Sequence, residues 1–432
     1  MNRVAAALVA LVGLVGHGVA AESDYTFDAT EFEKKPLEFG GYVQFRYEDL
    51  QLRPDTAFYR LNNFGRPLRT GLTRTTATVE LYGKLRAGDG TFDLRTHSTS
   101  GHDQYVHDDS HTLYEASYAH RVSPALSLDA GKRVMRWGKG YAWNPVGFVE
   151  RPKDPNDPEL AREGYWLASA DYIANPGGAL QTVALTPVLL PVGRDVNSDY
   201  GSGDHVTPAA KLYLLYRDTD IDLMWQGGGS RPARYGFDFS RNITSSFEVH
   251  GEWARIHHAT KRVTDDGGRV TSSTGDVTSY LLGIRLLTEG NTTVIAEYYR
   301  NGSGYSAQQS RDYYAFVDRA FAQYEATGND SLVQRARTLS AGSYGRPNAG
   351  TRYAYLRVQQ KDAFGIVYFQ PGLTAMRNLD DGSWQLTPEL FYTGIRNTEL
   401  RARLYWLNGD CHTDFGAKQS GRRVELQARL YF

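Results

Sequence analysis

Along this chain, stretches in which apolar and polar residues alternate are joined by connections that are short, then long, then short again. A period of two marks a β-strand whose two faces meet different surroundings. About eighteen such segments are present, near 38–50, 70–86, 90–99, 112–121, 125–136, 164–174, 179–190, 207–217, 219–227, 232–241, 245–258, 276–288, 291–300, 351–361, 364–377, 384–394, 398–408 and 421–432. In one of the most regular, Leu400, Ala402, Leu404 and Trp406 oppose Glu399, Arg401, Arg403 and Tyr405. The segments at 125–136, 179–190 and 364–377 alternate less cleanly. Tight turns rich in Gly, Asn or Asp make one set of connections, as at 87–89, 175–178, 289–290 and 395–397. The other set is mostly long: 51–69, 100–111, 137–163, 191–206, 259–275, 301–350 and 409–420, with short exceptions near 228–231 and 378–383.

A soluble two-sheet sandwich has no reason to sort its connections by length onto two edges. A single sheet rolled shut in a bilayer does. The predicted fold is all-β: a closed antiparallel up-and-down transmembrane β-barrel of about 18 strands, with short periplasmic turns, long extracellular loops and a helical segment in the 301–350 loop. Closure has a physical cause, since an open edge in lipid leaves N–H and C=O groups unpaired at several kcal/mol each. An even strand count returns the last strand to the first. About eighteen strands enclose a lumen too wide for wall side chains to fill, which makes an aqueous channel the default.

Composition agrees. The chain has 432 residues, a net charge of −1, one cysteine, 29 tyrosines and seven tryptophans. Its mean hydropathy of −0.49 and its lack of a long apolar run after the start exclude a helical membrane protein but not a barrel. Aromatic girdles at the two interfaces account for the aromatic excess. Near-neutral charge gives no sign of nucleic-acid binding, and Cys411 has no partner for an intramolecular disulfide. Residues 1–21 read as a signal peptide: Arg3, an apolar stretch from Val4 to Val15, then Val19-Ala20-Ala21 before Glu22. The polar stretch 22–37 reads as a periplasmic leader, and 38–432 as the barrel.

The final segment places Val424, Leu426, Ala428, Leu430 and Phe432 on one face and Arg423, Glu425, Gln427, Arg429 and Tyr431 on the other. It resembles the last strand of bacterial outer-membrane barrels, which typically ends in Phe. That resemblance implies the periplasmic assembly machinery and the outer-membrane bilayer as partners.

Strand parity points a set of charged residues into the lumen. If the sheet closes, Arg46, Arg401, Arg403, Arg423 and Arg429 come together against Glu48, Glu399 and Glu425, with Arg133 and Arg357 elsewhere on the wall. Two readings stay open: an arginine path for anionic solutes, or an Arg–Glu ladder that braces the wall. Two loops are candidate constrictions. In 301–350, Ser310 is placed to cap a helix with Tyr313, Phe316, Val317, Ala320, Phe321 and Tyr324 at helical spacing. Asn329 or Asp330 is placed to cap a second. Such a hairpin either closes over the pore, with Phe316 and Phe321 on its lid face, or packs on neighbouring loops. The 137–163 loop carries Trp137-Gly138-Lys139-Gly140, Trp143-Asn144-Pro145, Arg151 and further prolines, which stiffen it. From about Arg133 to Glu163 the chain resembles large outer-membrane channels of the porin and alginate-export type. The resemblance implies an eighteen-stranded passive channel with an Arg-lined path for an acidic saccharide or small anion.

Other constellations compete. His97, His102, His107 and His111, with Asp103, Asp108 and Asp109, are dense enough in donors for Zn²⁺ or Cu²⁺, though their spacing matches no defined site. Asp154, Asn156, Asp157 and Glu159 offer oxygens for Ca²⁺, broken by prolines. No metal or cofactor is assigned. His250 between Glu248 and Glu252 is an acid–base candidate with no nucleophile to pair with it. The expected function is therefore a non-enzymatic channel for passive diffusion of small hydrophilic solutes, anions among them. The alternatives are an export or surface-assembly channel for an acidic polysaccharide, and a barrel-embedded hydrolase.

Overall fold

The computed structural model describes residues 35–157 and 163–432. The signal segment 1–21, the leader as far as residue 34, and Glu159 lie outside the described residues. From Leu37 onward the chain forms one sheet of eighteen strands: β1 (Leu37–Leu52), β2 (Gly71–Ala87), β3 (Gly90–His102), β4 (His107–Ser123), β5 (Leu126–Arg133), β6 (Tyr165–Ala174), β7 (Leu180–Val192), β8 (His205–Tyr216) and β9 (Thr219–Gln226). Then follow β10 (Arg234–Thr244), β11 (Phe247–Thr264), β12 (Val270–Leu287), β13 (Thr292–Arg300), β14 (Arg352–Gln360), β15 (Phe369–Asn378), β16 (Trp384–Ile395), β17 (Thr398–Asn408) and β18 (Ser420–Tyr431). Each pairs antiparallel with the next, and β18 pairs back onto β1 from Tyr42–Tyr431 to Leu52–Ser420. The barrel is closed.

The alternation predicted from sequence has a direct structural meaning. Phe39, Val43, Phe45, Val79, Leu81, Leu223, Trp225, Leu404, Trp406 and Leu430 all face outward as large exposed apolar side chains. Tyr42, Gln44, Glu48, Glu80, Glu425 and Gln427 face inward and are buried. An apolar belt outside and polar groups inside is the arrangement a bilayer requires.

At the seam, the Gly41 and Phe432 backbones exchange two hydrogen bonds of 3.1 Å. A Cβ on Gly41 would lie 2.3 Å from the Glu80 carbonyl oxygen of β2 and 3.0 Å from the Phe432 ring. The carbonyl belongs to a ladder and cannot swing away. Gly41→Leu is expected to block closure, and the fraction of protein migrating as a compact band on unboiled gels should fall by more than half.

Four boundaries differ clearly from the sequence reading. β4 begins at His107 rather than near 112, and the connection from β3 shrinks to 103–106. There Asp103 accepts from the Tyr105 and Val106 N–H groups at 2.7 and 2.9 Å. Burial pushes its carboxyl up, but those bonds and Arg74 hold it below the usual range. Likewise β11 and β12 run on to a tip at 265–269 in place of a loop over 259–275. Their neighbours stop lower: β10 pairs only as far as Ile256, and β13 only as far as Tyr280. Beyond those points 259–264 and 270–275 form a two-stranded hairpin with no further strand beside it. The added residues 107–111 and most of 270–275 are polar on each face, so they lack the alternation that betrays a strand in lipid. Finally, β15 starts at Phe369, because 361–368 makes a longer turn with Asp362, Phe364 and Tyr368 at positive φ.

Candidate functional site

The connection between β5 and β6 does not stay outside. It enters the lumen and is fastened to the wall by two carboxylates. Glu252 of β11 accepts from the Gly140 N–H at 2.5 Å and the Val146 N–H at 3.3 Å. Glu297 of β13 accepts from the Tyr141 and Ala142 N–H groups at 2.5 and 2.8 Å. Lys139 reaches Asp222 of β9 at 3.0 Å, and the Lys153 ammonium donates to the Gly140 carbonyl. The bend needs Gly140, where a Cβ would fall 2.3 Å from the Trp143 carbonyl oxygen. Further on, Asp157 meets Arg401 at 3.1 Å and Arg403 at 3.2 Å, both on β17. Asn156 accepts from Gln385 of β16 at 2.5 Å. The loop therefore leaves the wall at β5, touches it at β9 to β13, and touches it again at β16 and β17.

Where the loop lies against the wall, the interior is apolar. Trp137, Val146, Phe148 and Val149 pack with inward residues of β6 to β11, among them Leu167, Val188, Leu190, Ala209, Met224 and Ala254. Trp143 stacks on Tyr299 at 5.0 Å and packs with Leu281, Ile295, Tyr353, Tyr355 and Met376. This explains the poor alternation of β7. Leu185 and Leu189 face lipid while Val188 and Leu190 face the loop, so both faces are apolar. Arg151 is bonded to the Glu163 carbonyl at 3.0 Å and lies over the Tyr165 ring at 4.7 Å, which fastens the returning limb.

The arginines of the sequence reading fall into two groups. Arg403 is buried between Glu389 of β16 at 2.5 Å, Glu425 of β18 at 3.4 Å and Asp157. Arg401 and Arg357 also approach Glu389, at 3.6 and 3.7 Å. Arg429 binds Glu399 at 3.2 Å and Gln44 at 2.8 Å, and lies over the Tyr42 ring at 4.3 Å. These four are braces. Arg46, Arg133 and Arg423 are paired too, with Glu48 at 3.6 Å, with Asp129, and with Glu48 at 3.3 Å. Their side chains nonetheless keep 35, 34 and 31 % of their surface open. Arg95 of β3, bridging Glu80 and Glu115, is as open. All four lie on the arc from β18 through β1 to β5, where the loop is fastened only at its own roots, by Val134 to Glu115 at 3.2 Å, by Gly164 to the Tyr114 carbonyl at 2.9 Å and by Glu163 to Lys132. Sequence parity found most of these charges. It did not find Glu389, Asp157 or the fastening role of Glu252 and Glu297, because strand register and the path of a loop decide those.

The 301–350 segment folds as two helices, α2 (Ala307–Thr327) and α3 (Ser331–Leu339), with a short α1 (Ala57–Asn62) opposite in the 53–70 connection. The α2 cap is Ser306, not Ser310. Ser306 Oγ accepts from the Gln309 N–H at 3.2 Å while Gln309 accepts from the Ser306 N–H at 3.0 Å, a reciprocal box that frees Ser310 for the first turn. Asp330 precedes α3 without a side-chain bond to its backbone and accepts instead from the Gln334 side chain at 3.0 Å, while Asn329 accepts from the Ser331 N–H at 3.0 Å. Phe316 and Phe321 are buried with Phe58 and Leu61 of α1, Val333 of α3 and Ala417 of the 409–419 connection. Asp318 ties Arg60 at 2.9 Å and His412 at 2.7 Å. Arg319 meets Asp266 at the β11–β12 tip at 3.2 Å. The helices form a cap of packed loops with their apolar stripe satisfied inside it.

The histidine run 97–111 is not gathered. His97 binds Glu80 at 3.2 Å, and His102 and His107 face each other on β3 and β4. Among the described residues, metal-type atoms come together at His257, His258 and Asp276, within 4.8 Å, but Arg255 already holds Asp276 at 2.9 Å. Asp157 of the 154–159 run is taken by its arginines. His250 sits between Glu297 at 3.0 Å and Glu248 at 3.5 Å, a clamp of two carboxylates.

No protein-family profile and no curated protein sequence matches this chain. Solved structures do. OccK2 (OpdF) of Pseudomonas aeruginosa superposes with a TM-score of 0.53 at 12 % identity, covering 92 % of this chain and 97 % of that one. OpdQ of the same organism gives 0.52 at 10 % over 92 and 99 %, and its OccK5 (OpdH) gives 0.50 at 13 % over 91 and 98 %. At these identities the likeness is one of fold. Together with the closed ladder and the apolar outer belt, it makes this chain an eighteen-stranded transmembrane β-barrel with the fold of bacterial outer-membrane channels.

Proposed function

We propose that this barrel is a passive outer-membrane channel for small hydrophilic solutes, with anions favoured over cations. The observation that carries the reading is the loop 134–164 fastened across the lumen, which leaves the β18-to-β5 arc as the wall of the remaining path. Four half-open guanidinium groups lie on that arc: Arg46, Arg95, Arg133 and Arg423. Each is planar and permanently charged, and can lend hydrogen bonds to a passing carboxylate or phosphate while its resident acid keeps it oriented. The brace arginines contribute rigidity instead.

Planar-bilayer recording in a KCl gradient tests both parts. The combined Arg46→Gln, Arg133→Gln, Arg423→Gln variant is expected to conduct and to lower the anion-to-cation permeability ratio several-fold. An unchanged reversal potential would remove the arginine path. A current blocked by charged oligosaccharides but not by amino acids would instead support export of an acidic polysaccharide.

A further inference from the structure

The extended β11–β12 hairpin and the 301–350 segment line an open cavity of about 340 Å³ at the loop edge of the barrel. Its lining includes Lys261, Arg262 and Arg346 and no carboxylate. Among the described residues, none of these three cations has an acid within ion-pair distance. The Lys261 ammonium donates to the Gly304 carbonyl and lies 5.2 Å from the centre of the Tyr305 ring. Burial and the nearby Arg346 charge both push it down, so two positive charges crowd one partly dry space. Arg346 is held by its Nε, which donates to the Ser343 carbonyl at 3.1 Å.

The site is stiff. Tyr305 stacks on Tyr344 at 4.0 Å, and Tyr344 stacks on Tyr313 at 4.0 Å with the rings nearly parallel. The Tyr344 hydroxyl accepts from the Thr264 N–H at 2.9 Å, locking the stack to the hairpin. Register places Ala259, Lys261 and Val277 on the inward side of the hairpin, the same side as Ala254, Ile256 and Ser279. The cavity therefore faces the mouth of the barrel and not the lipid.

We infer that this cavity is a docking site for a small phosphorylated solute, of the size of a sugar monophosphate, on its way into the channel. Lys261 and Arg346, two cations without an acid, match a doubly charged group better than a single carboxylate, and Arg and Lys bind phosphate by fork and point charge respectively; Arg262, next to Lys261 in the strand, turns to the opposite face. The volume exceeds what inorganic phosphate fills and lies at the lower end of small-ligand sites. Hydroxyls of Ser303 and Ser343 and the edge of Tyr305 offer partners to a hydroxylated body. The inference rests on the channel reading only for the solute's destination; the binding itself does not require transport.

The test therefore separates the two. Calorimetry on the detergent-purified full-length barrel is run with glucose 6-phosphate, glucose, inorganic phosphate and gluconate. Glucose 6-phosphate should bind, inorganic phosphate more weakly, and glucose not at all. The Lys261→Gln, Arg346→Gln variant should weaken glucose 6-phosphate at least tenfold while keeping the parent KCl conductance and heat-modifiable gel shift. Gluconate binding as tightly as glucose 6-phosphate, no binding by any of the four, or equal binding by the variant would each overturn the site. Binding without any bilayer current would leave the site standing and remove the channel reading. If the double variant fails to fold, Lys261→Met alone carries the same comparison.

Discussion

Exchanging Glu252 and Glu297 together for glutamine is expected to at least double the single-channel conductance and to make the open current noisy. Each carboxylate accepts two backbone N–H bonds from the 140–146 segment, at 2.5 to 3.3 Å. Bonds to a charged acceptor contribute about 1.5–3 kcal/mol apiece. Glutamine keeps the shape but turns an amide –NH₂ toward donors that need an acceptor, so half of the bonds become repulsive. Trp143 and Phe148 retain their packing, so the loop loosens and does not unfold. Bilayer recordings decide it: an unchanged, quiet conductance would mean that the apolar contacts alone hold the loop.

The second large effect concerns stability. Arg403→Ala strips a guanidinium that touches Glu389, Glu425 and Asp157 at once, in a place where its side chain is 5 % open. Removing one member of a buried ionic group leaves the others uncompensated and costs about 3–5 kcal/mol. The compact band on unboiled gels should then disappear at a clearly lower temperature than for the parent. Arg423→Ala, equally charged but 31 % open, is screened by water and should cost less than about 1 kcal/mol. Equal shifts for the two would contradict the division into braces and path. A partial recovery when Glu389→Gln is added to Arg403→Ala would confirm that stranded charge is the cause.

The two arginines differ in how much of their role the sequence carries. Parity puts both inside. Nothing in the local pattern says that Arg403 lies opposite Glu425 on one side and near Glu389 on the other, because that depends on register across two hairpins. The strands themselves were legible wherever lipid imposes alternation, as in 398–408. They were illegible where a strand leaves lipid, as at 107–111 and 270–275, and legible with a blurred alternation where a loop is packed inside, as at β7. The two helices of the long connection were visible in the spacing of Phe316, Val317, Ala320 and Phe321. Their burial against α1 was not, since Phe58 and Leu61 lie more than two hundred residues away in sequence.

The fastening of the inner loop has a further consequence. Its donors are main-chain amides, which every residue but proline supplies. Ala142 and Val146 are buried against the wall, but the partly exposed side chain at Tyr141 can therefore change identity while the tether persists. Exchanging it would alter the chemistry beside the passage yet leave its gauge nearly constant, so tuning what passes and setting how wide the passage is fall to different atoms of one residue.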